Sequence, residues 1–407
     1  MSELPLIKAR ADFPALTHRV RGKPIVYLDT AATALKPWPV IERISLFNTY
    51  QTANVHRGAH FLADQATTFF EETREKVRSF LNAESTDEIV FTKGTTDSIN
   101  LVAQTYGKKY LQPGDEVLLT ELEHHANIVP WQMICEERGA KISVVPIDAD
   151  GRLDEKVFQQ KLNSKPKILA ITHCSNALGT INDVKKYIQW AHQAGAKVLV
   201  DGAQMVANHK VDVRDLDADF YVFSGHKLFG PYGVGVLYGK RAILENLPPY
   251  QGGGSMISQV TFEKTTYNDI PYRFEAGTPN IEGVIGLGPA LDYVQKLGWD
   301  NITLHEQMLL NYATEKILEI KGITILGPKS EKAPILSLKI EGVHHSDAGQ
   351  VLDQENVAVR AGHHCTQPLM RKLGVPGTVR ASISVYNNMN DIDLLVKGLR
   401  KVQELFL

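Results

Sequence analysis

Cysteine is scarce in this chain. Three occur in 407 residues, Cys135, Cys174 and Cys365. They are too few and too scattered for a disulfide framework, and the odd count reads as reduced thiols in a cytoplasmic setting. Long hydrophobic runs are also lacking: none approaches the roughly 18 apolar residues of a membrane-spanning helix. Met1 to Lys8 show no basic segment leading into an apolar one, so no secretory signal is expected. Nor is there an excess of charge. With 44 basic against 46 acidic side chains and a net charge of −2, the sequence gives no electrostatic reason to expect a nucleic-acid partner. Internal repeats and low-complexity tracts are absent too, which excludes solenoid and disordered designs.

The chain does carry enough apolar residues, 43%, to build a full core. Its length suggests two or three domains at roughly 100–200 residues each. From Asp87 onward, short apolar strands alternate with amphipathic helices. Strands are expected at 87–91, 116–120, 142–146, 168–172, 197–200 and 219–223, with helices at 128–138, 154–162 and 184–193 between them. That rhythm predicts an α/β fold with a mostly parallel sheet covered by helices on both faces. It weakens after Tyr238. Leu247 to Ser255 reads as a Gly/Pro-rich loop, and helices at 284–297, 301–320 and 392–405 with short strands at 335–338 and 357–359 suggest a smaller C-terminal α+β domain. The expected division is an N-terminal segment at 1–20 packing with the small domain, a large domain at 21–290 and the small domain at 291–407.

In parallel sheets ligands collect at the carboxyl ends of the strands. Asp201 follows one such strand and Lys227 the next, in Ser224-Gly-His-Lys227. Taken singly, Asp201 is as readily a turn or N-cap aspartate and Lys227 a snorkelling lysine. Adjacent strand ends would bring both to one cleft, and one cofactor needs that pair. Pyridoxal phosphate bonds a lysine through its aldehyde, and a carboxylate keeps its pyridine nitrogen protonated. Gly94-Thr95-Thr96, between a strand and a helix, has the form of a phosphate-binding helix N-terminus. His124 and Asn176 fall at two further strand ends. His124 is able to stack on a ring or move protons near neutral pH.

These residues sit in motifs that resemble the cysteine desulfurase/selenocysteine lyase family of pyridoxal-phosphate enzymes, with the aspartate-aminotransferase fold (fold type I). More narrowly they are similar to its second group, which supplies sulfur for iron–sulfur cluster assembly. The resemblance runs from about Phe13 to the C-terminus. It is carried by Leu28-Asp-Thr-Ala-Ala32, Val55-His-Arg-Gly58, Lys93-Gly-Thr-Thr96, Glu123-His-His-Ala-Asn127, Asp201-Gly-Ala-Gln204, Glu275-Ala-Gly-Thr-Pro-Asn280, Arg360-Ala-Gly-His-His-Cys365 and Arg380-Ala-Ser382. It implies that Lys227 holds pyridoxal 5'-phosphate, that Asp201 partners the pyridine nitrogen, that Gln204 bonds the ring hydroxyl and that His124 stacks on the ring. Thr95, Thr96, Ser224 and His226 would hold the phosphate, with Thr278 reaching the neighbouring subunit's site in a homodimer. Asn176 and Arg380 would bind the substrate carboxylate, and Arg360 and His56 would line the site. Cys365, in a loop, would take sulfur from L-cysteine, or selenium from L-selenocysteine, and pass it to an acceptor protein. The other two cysteines read as buried core thiols.

Two positions depart from that pattern: Asp97 stands where Glu is frequent, and Gln251 where an acidic residue is. Other readings compete. A pyridoxal-phosphate aminotransferase or another lyase would use Lys227 and Asp201 without Cys365. A metal-dependent hydrolase built on the His124/His125, His344/His345 and His363/His364 pairs lacks ligand spacings that aim at one metal. A nucleotide-binding module at Gly230, Gly233 and Gly235 lacks the helix that should follow.

Overall fold

The computed structural model describes residues 4–406. Its centre is a seven-stranded sheet. In chain order the strands are β1 (Ile89–Thr92), β2 (Glu116–Thr120), β3 (Lys141–Val145), β4 (Ile168–Thr172), β5 (Lys197–Asp201), β6 (Phe220–Ser224) and β7 (Gly235–Gly239). They lie side by side as β1-β7-β6-β5-β4-β2-β3. All run in one direction except β7, which is antiparallel to both of its neighbours. The inner strands β4, β6 and β7 are buried at every residue, whereas the edge strand β3 is largely open to solvent. Continuous apolar runs such as Ile-Leu-Ala-Ile therefore mark strands covered on both faces. Two apolar clusters, one containing Phe223 and Val200 and the other Val222 and Leu199, fill the two sides of the sheet.

The expected strands appear within a residue or two of their forecast ends. Helix Phe61–Leu81, at 21 residues, goes unread in the sequence because Thr73 and Arg74 interrupt its buried face. Arg74 is buried because Glu71 and Glu275 both pair with it, at 2.8 and 2.7 Å. The stretch 247–255 lacks helix and strand, but it leads into an exposed hairpin, Ile257–Val260 with Thr265–Tyr267, that its polar sequence did not announce.

Beyond Gly298 the chain forms a four-stranded antiparallel sheet. Its strands are β8 (Ile323–Leu326), β9 (Ile335–Ile340), β10 (Arg360–Gly362) and β11 (Thr378–Ser382), in the order β8-β9-β11-β10. Helices Trp299–Leu318, His345–Gln354 and Met389–Phe406 join it around a separate apolar cluster that includes Leu309, Leu352 and Leu399. Leu4, Val26 and Leu28 belong to this cluster, and Val26–Tyr27 pairs in parallel with Val357–Ala358. Phe13 and Leu16 pack instead with the larger core. Residue 290 lies inside the continuous helix Ile281–Leu297, whose end is Gly298 in a left-handed-side conformation (φ +79°). Among the described residues no helix is long and apolar enough to cross a membrane.

Candidate active site

Five strand ends meet at one edge of the large sheet. There a cavity is lined by Thr95 and Thr96 after β1, His124 after β2, Asn176 after β4, Asp201 and Gln204 at the end of β5, and Ser224, His226 and Lys227 after β6. Arg360 and Arg380, from β10 and β11, close it from the other side. The topology explains the convergence, since parallel strands carry every following loop to the same edge.

Two glycines permit the close packing this edge requires. A Cβ on Gly202 would lie 2.1–2.2 Å from the Tyr221 ring, and one on Gly235 would lie 2.4 Å from the Gly94 backbone. The first lets Asp201 end β5 against β6. The second lets the Lys93-Gly94-Thr95 turn lie on β7, so that helix Thr95–Val102 starts at the cavity. Ser224 Oγ accepts the Thr95 N–H at 2.8 Å and is bonded to Thr95 Oγ1 at 2.7 Å. Asp97, in the same first turn, accepts the Lys93 N–H at 3.0 Å and the Tyr250 hydroxyl at 3.3 Å.

Asp201 is buried and Lys227 half-buried. Burial pushes the Asp201 carboxyl up and the Lys227 ammonium down, and each one's charge on the other opposes that shift. Asp201 accepts the Ala203 N–H at 3.0 Å. The His124 imidazole is lowered to about 3, by burial first and then by the nearby Lys227 charge, so its ring is neutral at physiological pH. Its Nδ1 accepts the Ala126 N–H at 3.0 Å, which puts the ring proton on Nε2. Glu123 fixes this loop: its carboxyl accepts from Thr120 Oγ1, the Thr172 N–H and Asn127 Nδ2 at 2.6, 3.0 and 2.7 Å. Burial raises it to about 8, which keeps it neutral in the core.

The cysteine loop meets the rim of the cavity through His364, which lines it; Cys365, the next residue, is not among the lining residues. Cys365 is half-buried, while Cys135 and Cys174 are buried, and burial pushes their thiols up to about 11 and about 12. Cys174 also lines the cavity, just past β4, where the sequence suggested only a core strand position. His364 and Cys365 are consecutive non-glycine residues in the left-handed region, at φ 54° and 58°. Such residues cost about 1–2 kcal/mol each and persist only where surrounding contacts hold them. Here Asn176 Nδ2 donates to the His364 carbonyl at 2.8 Å, and His364 Nε2 is bonded to Thr378 Oγ1 at 2.7 Å. Arg380 is buried, donates to the Asn176 carbonyl at 2.9 Å and pairs with Asp29 at 3.1 Å. Its Nε has no hydrogen-bond partner among the described residues.

This donor set fits pyridoxal phosphate: a half-buried amine and a buried carboxylate lining one cavity, a neutral imidazole, a helix N-terminus with hydroxyls, and a buried guanidinium with an unpartnered N–H. Residues 26–395 match the aminotransferase class-V family. The protein named cysteine desulfurase from Pectobacterium atrosepticum is 50% identical over 403 residues, 98% of each chain. The chain belongs to the cysteine desulfurases of the aminotransferase class-V family.

Solved structures agree with this class-V assignment. The cysteine desulfurase CsdA from Escherichia coli, in an S-sulfonic acid form, matches with a TM-score of 0.92 and 41% identity, covering 100% of both chains. The apo cysteine desulfurase from Thermococcus onnurineus matches at 0.93 and 36%, covering 99% of each. The mostly parallel sheet with flanking helices is the fold type I architecture of this class.

Not every residue expected from the class-V pattern lines the cavity. His56 bonds Glu71 at 2.8 Å and packs on Phe70 and Tyr272, and the exposed Thr278 lies outside the lining. Gln204 lines the cavity while its amide donates to the Ala31 carbonyl at 2.7 Å. His226 stacks with Tyr232 and bonds Thr33 Oγ1 at 3.2 Å. Sequence reasoning missed Asp29, which the Leu28-Asp-Thr motif contained, and His364. The signal for His364 was its place beside Cys365, but a side chain held by a residue 14 positions on has no local signature.

Proposed function

We propose that this class-V enzyme is a pyridoxal-phosphate-dependent desulfurase. It converts L-cysteine and the Cys365 thiol to L-alanine and a Cys365 persulfide. What supports this reading most is that Cys365 directly follows His364, which lines the same cavity as Lys227 and Asp201. Pyridoxal phosphate, when bound, supplies an electron sink next to the substrate's Cα.

The chain's own groups would do the rest. Thr95, Thr96, Ser224 and His226 hold the phosphate, Asp201 pairs with the pyridine nitrogen and His124 lies against the ring. Arg380 and Asn176 take the substrate carboxylate, for which a planar guanidinium suits a two-point contact. Lys227, its basicity lowered by burial, would accept the Cα proton. His124 carries a proton on Nε2 facing the same space. The Cys365 thiolate attacks the substrate sulfur; a sulfur–sulfur bond forms as the carbon–sulfur bond breaks, and protonation of the carbon completes alanine. The persulfide sulfur then leaves to an acceptor protein, with iron–sulfur cluster assembly as the destination. L-Selenocysteine is proposed as a second substrate, because a pocket of this kind separates near-isosteres poorly.

We further propose a homodimer in the cytoplasm. Two successive helices expose Trp38, Leu46 and Phe61, apolar side chains that a partner surface would cover. Thr278, outside its own cavity, is available to a neighbour's. Free thiols suit a reducing compartment. The divisions at 1–20, 21–290 and 291–407 are kept as approximate units, with helix Ile281–Leu297 bridging the second and third.

The test is incubation with L-cysteine and a reductant, measuring alanine and sulfide. Wild type should release both, and Cys365→Ser should lose them while keeping the cofactor's visible absorption band. Full activity in Cys365→Ser would favour an aminotransferase or lyase that does not use the thiol.

A further inference from the structure

The reading above gives no task to His125 or His363, although both touch the Cys365 segment. The His363 Nδ1 accepts the Cys365 N–H at 3.1 Å. The His125 N–H donates to the Cys365 carbonyl at 2.7 Å, and the His125 Nε2 accepts the Gln367 N–H at 3.0 Å. The two rings lie 5.6 Å apart. One nitrogen of each and the Cys365 Sγ fall within 4.8 Å of one another.

This grouping resembles a metal-ligand set, but its hydrogen bonds argue otherwise. A ring nitrogen that accepts a backbone N–H carries no proton, so in the neutral ring the proton sits on the other nitrogen. That places it on Nδ1 of His125 and Nε2 of His363, and neither ring keeps a free lone pair for a cation. The pair acts as a brace. It takes up both backbone groups of Cys365 and the N–H two residues on, at the corner where His364 and Cys365 are both left-handed. Their own side chains do not explain that conformation, because neither is a glycine or an asparagine.

We propose that His363 and His125 are positioning residues for the sulfur-transfer step: they hold the left-handed corner that presents the Cys365 thiol to the substrate. The inference rests on the desulfurase reading. His363 reaches the N–H two residues ahead, a geometry that an asparagine carbonyl reproduces without supplying an imidazole. That makes the role separable from acid–base chemistry. His125 supports the same corner from β2's loop, so the brace ties the rim to the sheet edge that carries His124.

The test uses the holoenzyme and compares His363→Ala with His363→Asn in alanine formation and in iodoacetamide alkylation of Cys365, mapped by mass spectrometry. His363→Ala should lower kcat roughly 10- to 100-fold, the scale of a misplaced reacting group, while KM for L-cysteine and the visible band hold. The alkylation rate should change as well. His363→Asn should return both to within about threefold of wild type. His125→Gln, whose amide oxygen can accept the Gln367 N–H, should likewise outperform His125→Ala. Wild-type turnover in His363→Ala, or an asparagine variant no better than alanine, overturns the proposal. If wild type itself forms no alanine from L-cysteine, the desulfurase reading fails. The brace is then judged on alkylation alone, where recovery by asparagine supports it and lack of recovery rejects it.

Discussion

Lys227 and Cys365 sit a short way apart and are held by different means. Lys227 follows β6, and its conformation is set by a sheet whose inner strands are buried at every residue. Cys365 is on a loop whose left-handed corner is bonded by donors from Asn176 and His125 and by the His363 ring as acceptor. Burial tunes the first, lowering the lysine and raising its aspartate partner. Local bonding shapes the second, in a half-buried position. A group that must stay fixed against a cofactor benefits from a rigid scaffold. One that must receive sulfur and hand it on gains from a loop at the rim.

The comparison breaks most visibly at the lysine. Lys227→Ala should remove the visible band and reduce alanine formation by at least about 10³-fold, in the range lost with a general base. Alkylation of Cys365 should stay close to wild type, since its corner is braced from other elements. A variant that keeps the band would sink the cofactor-bonding role. One that keeps its band and loses thiol reactivity would mean that the two regions share a single support.

Gly235→Ala sharpens the contrast from the sheet side. The new Cβ would sit 2.4 Å from the Gly94 backbone, which cannot yield without shifting the turn before Thr95. Overpacking of this kind costs about 1–3 kcal/mol, so cofactor retention on dialysis should fall roughly 10-fold or more. The visible band reports it. Iodoacetamide reactivity of Cys365 should again hold.

The sheet and the cavity floor were legible in the sequence for the same reason. Runs such as Ile168-Leu-Ala-Ile171 can only be buried strands, and polar residues directly after them, Asp201 and Asn176 among others, had to fall at one edge. The rim was less legible. His364 acts through Thr378, Arg380 through Asp29, and Cys365 through His125, 240 positions earlier in the chain. Such partners are set by how the small antiparallel sheet meets the large one, which periodicity does not encode. His56 shows the reverse: its motif draws it to the site, and in this chain its side chain joins Glu71, Arg74 and Glu275 in a network away from the cavity lining. Glu275 also accepts the Phe91 N–H at 2.7 Å, which anchors β1.

That network offers the smallest effect, and it lies on the sheet side alone. Burial pushes the Glu71 carboxyl up, but hydrogen bonds from His56 and Arg74 outweigh it and hold it at about 2, against an ordinary value of 4.5. A carboxyl lowered in the folded state stabilises the fold above its unfolded pKa, and the contribution fades as pH falls from about 4.5 toward 2. With the side chain 29% exposed, solvent screening trims the contribution to about 1–2 kcal/mol. Glu71→Gln should therefore lower Tm by a few degrees at pH 7. The gap to wild type should narrow as the pH falls below about 4.5 and close near 2, where Glu71 too is protonated. Thermal melts at stepped pH measure it. A gap that widens on acidification would reverse the sign and place the favourable charge elsewhere in the network. Cys365 alkylation should not follow either variant's melting trend while the fold is intact, because no bond of the network reaches the corner that holds the thiol.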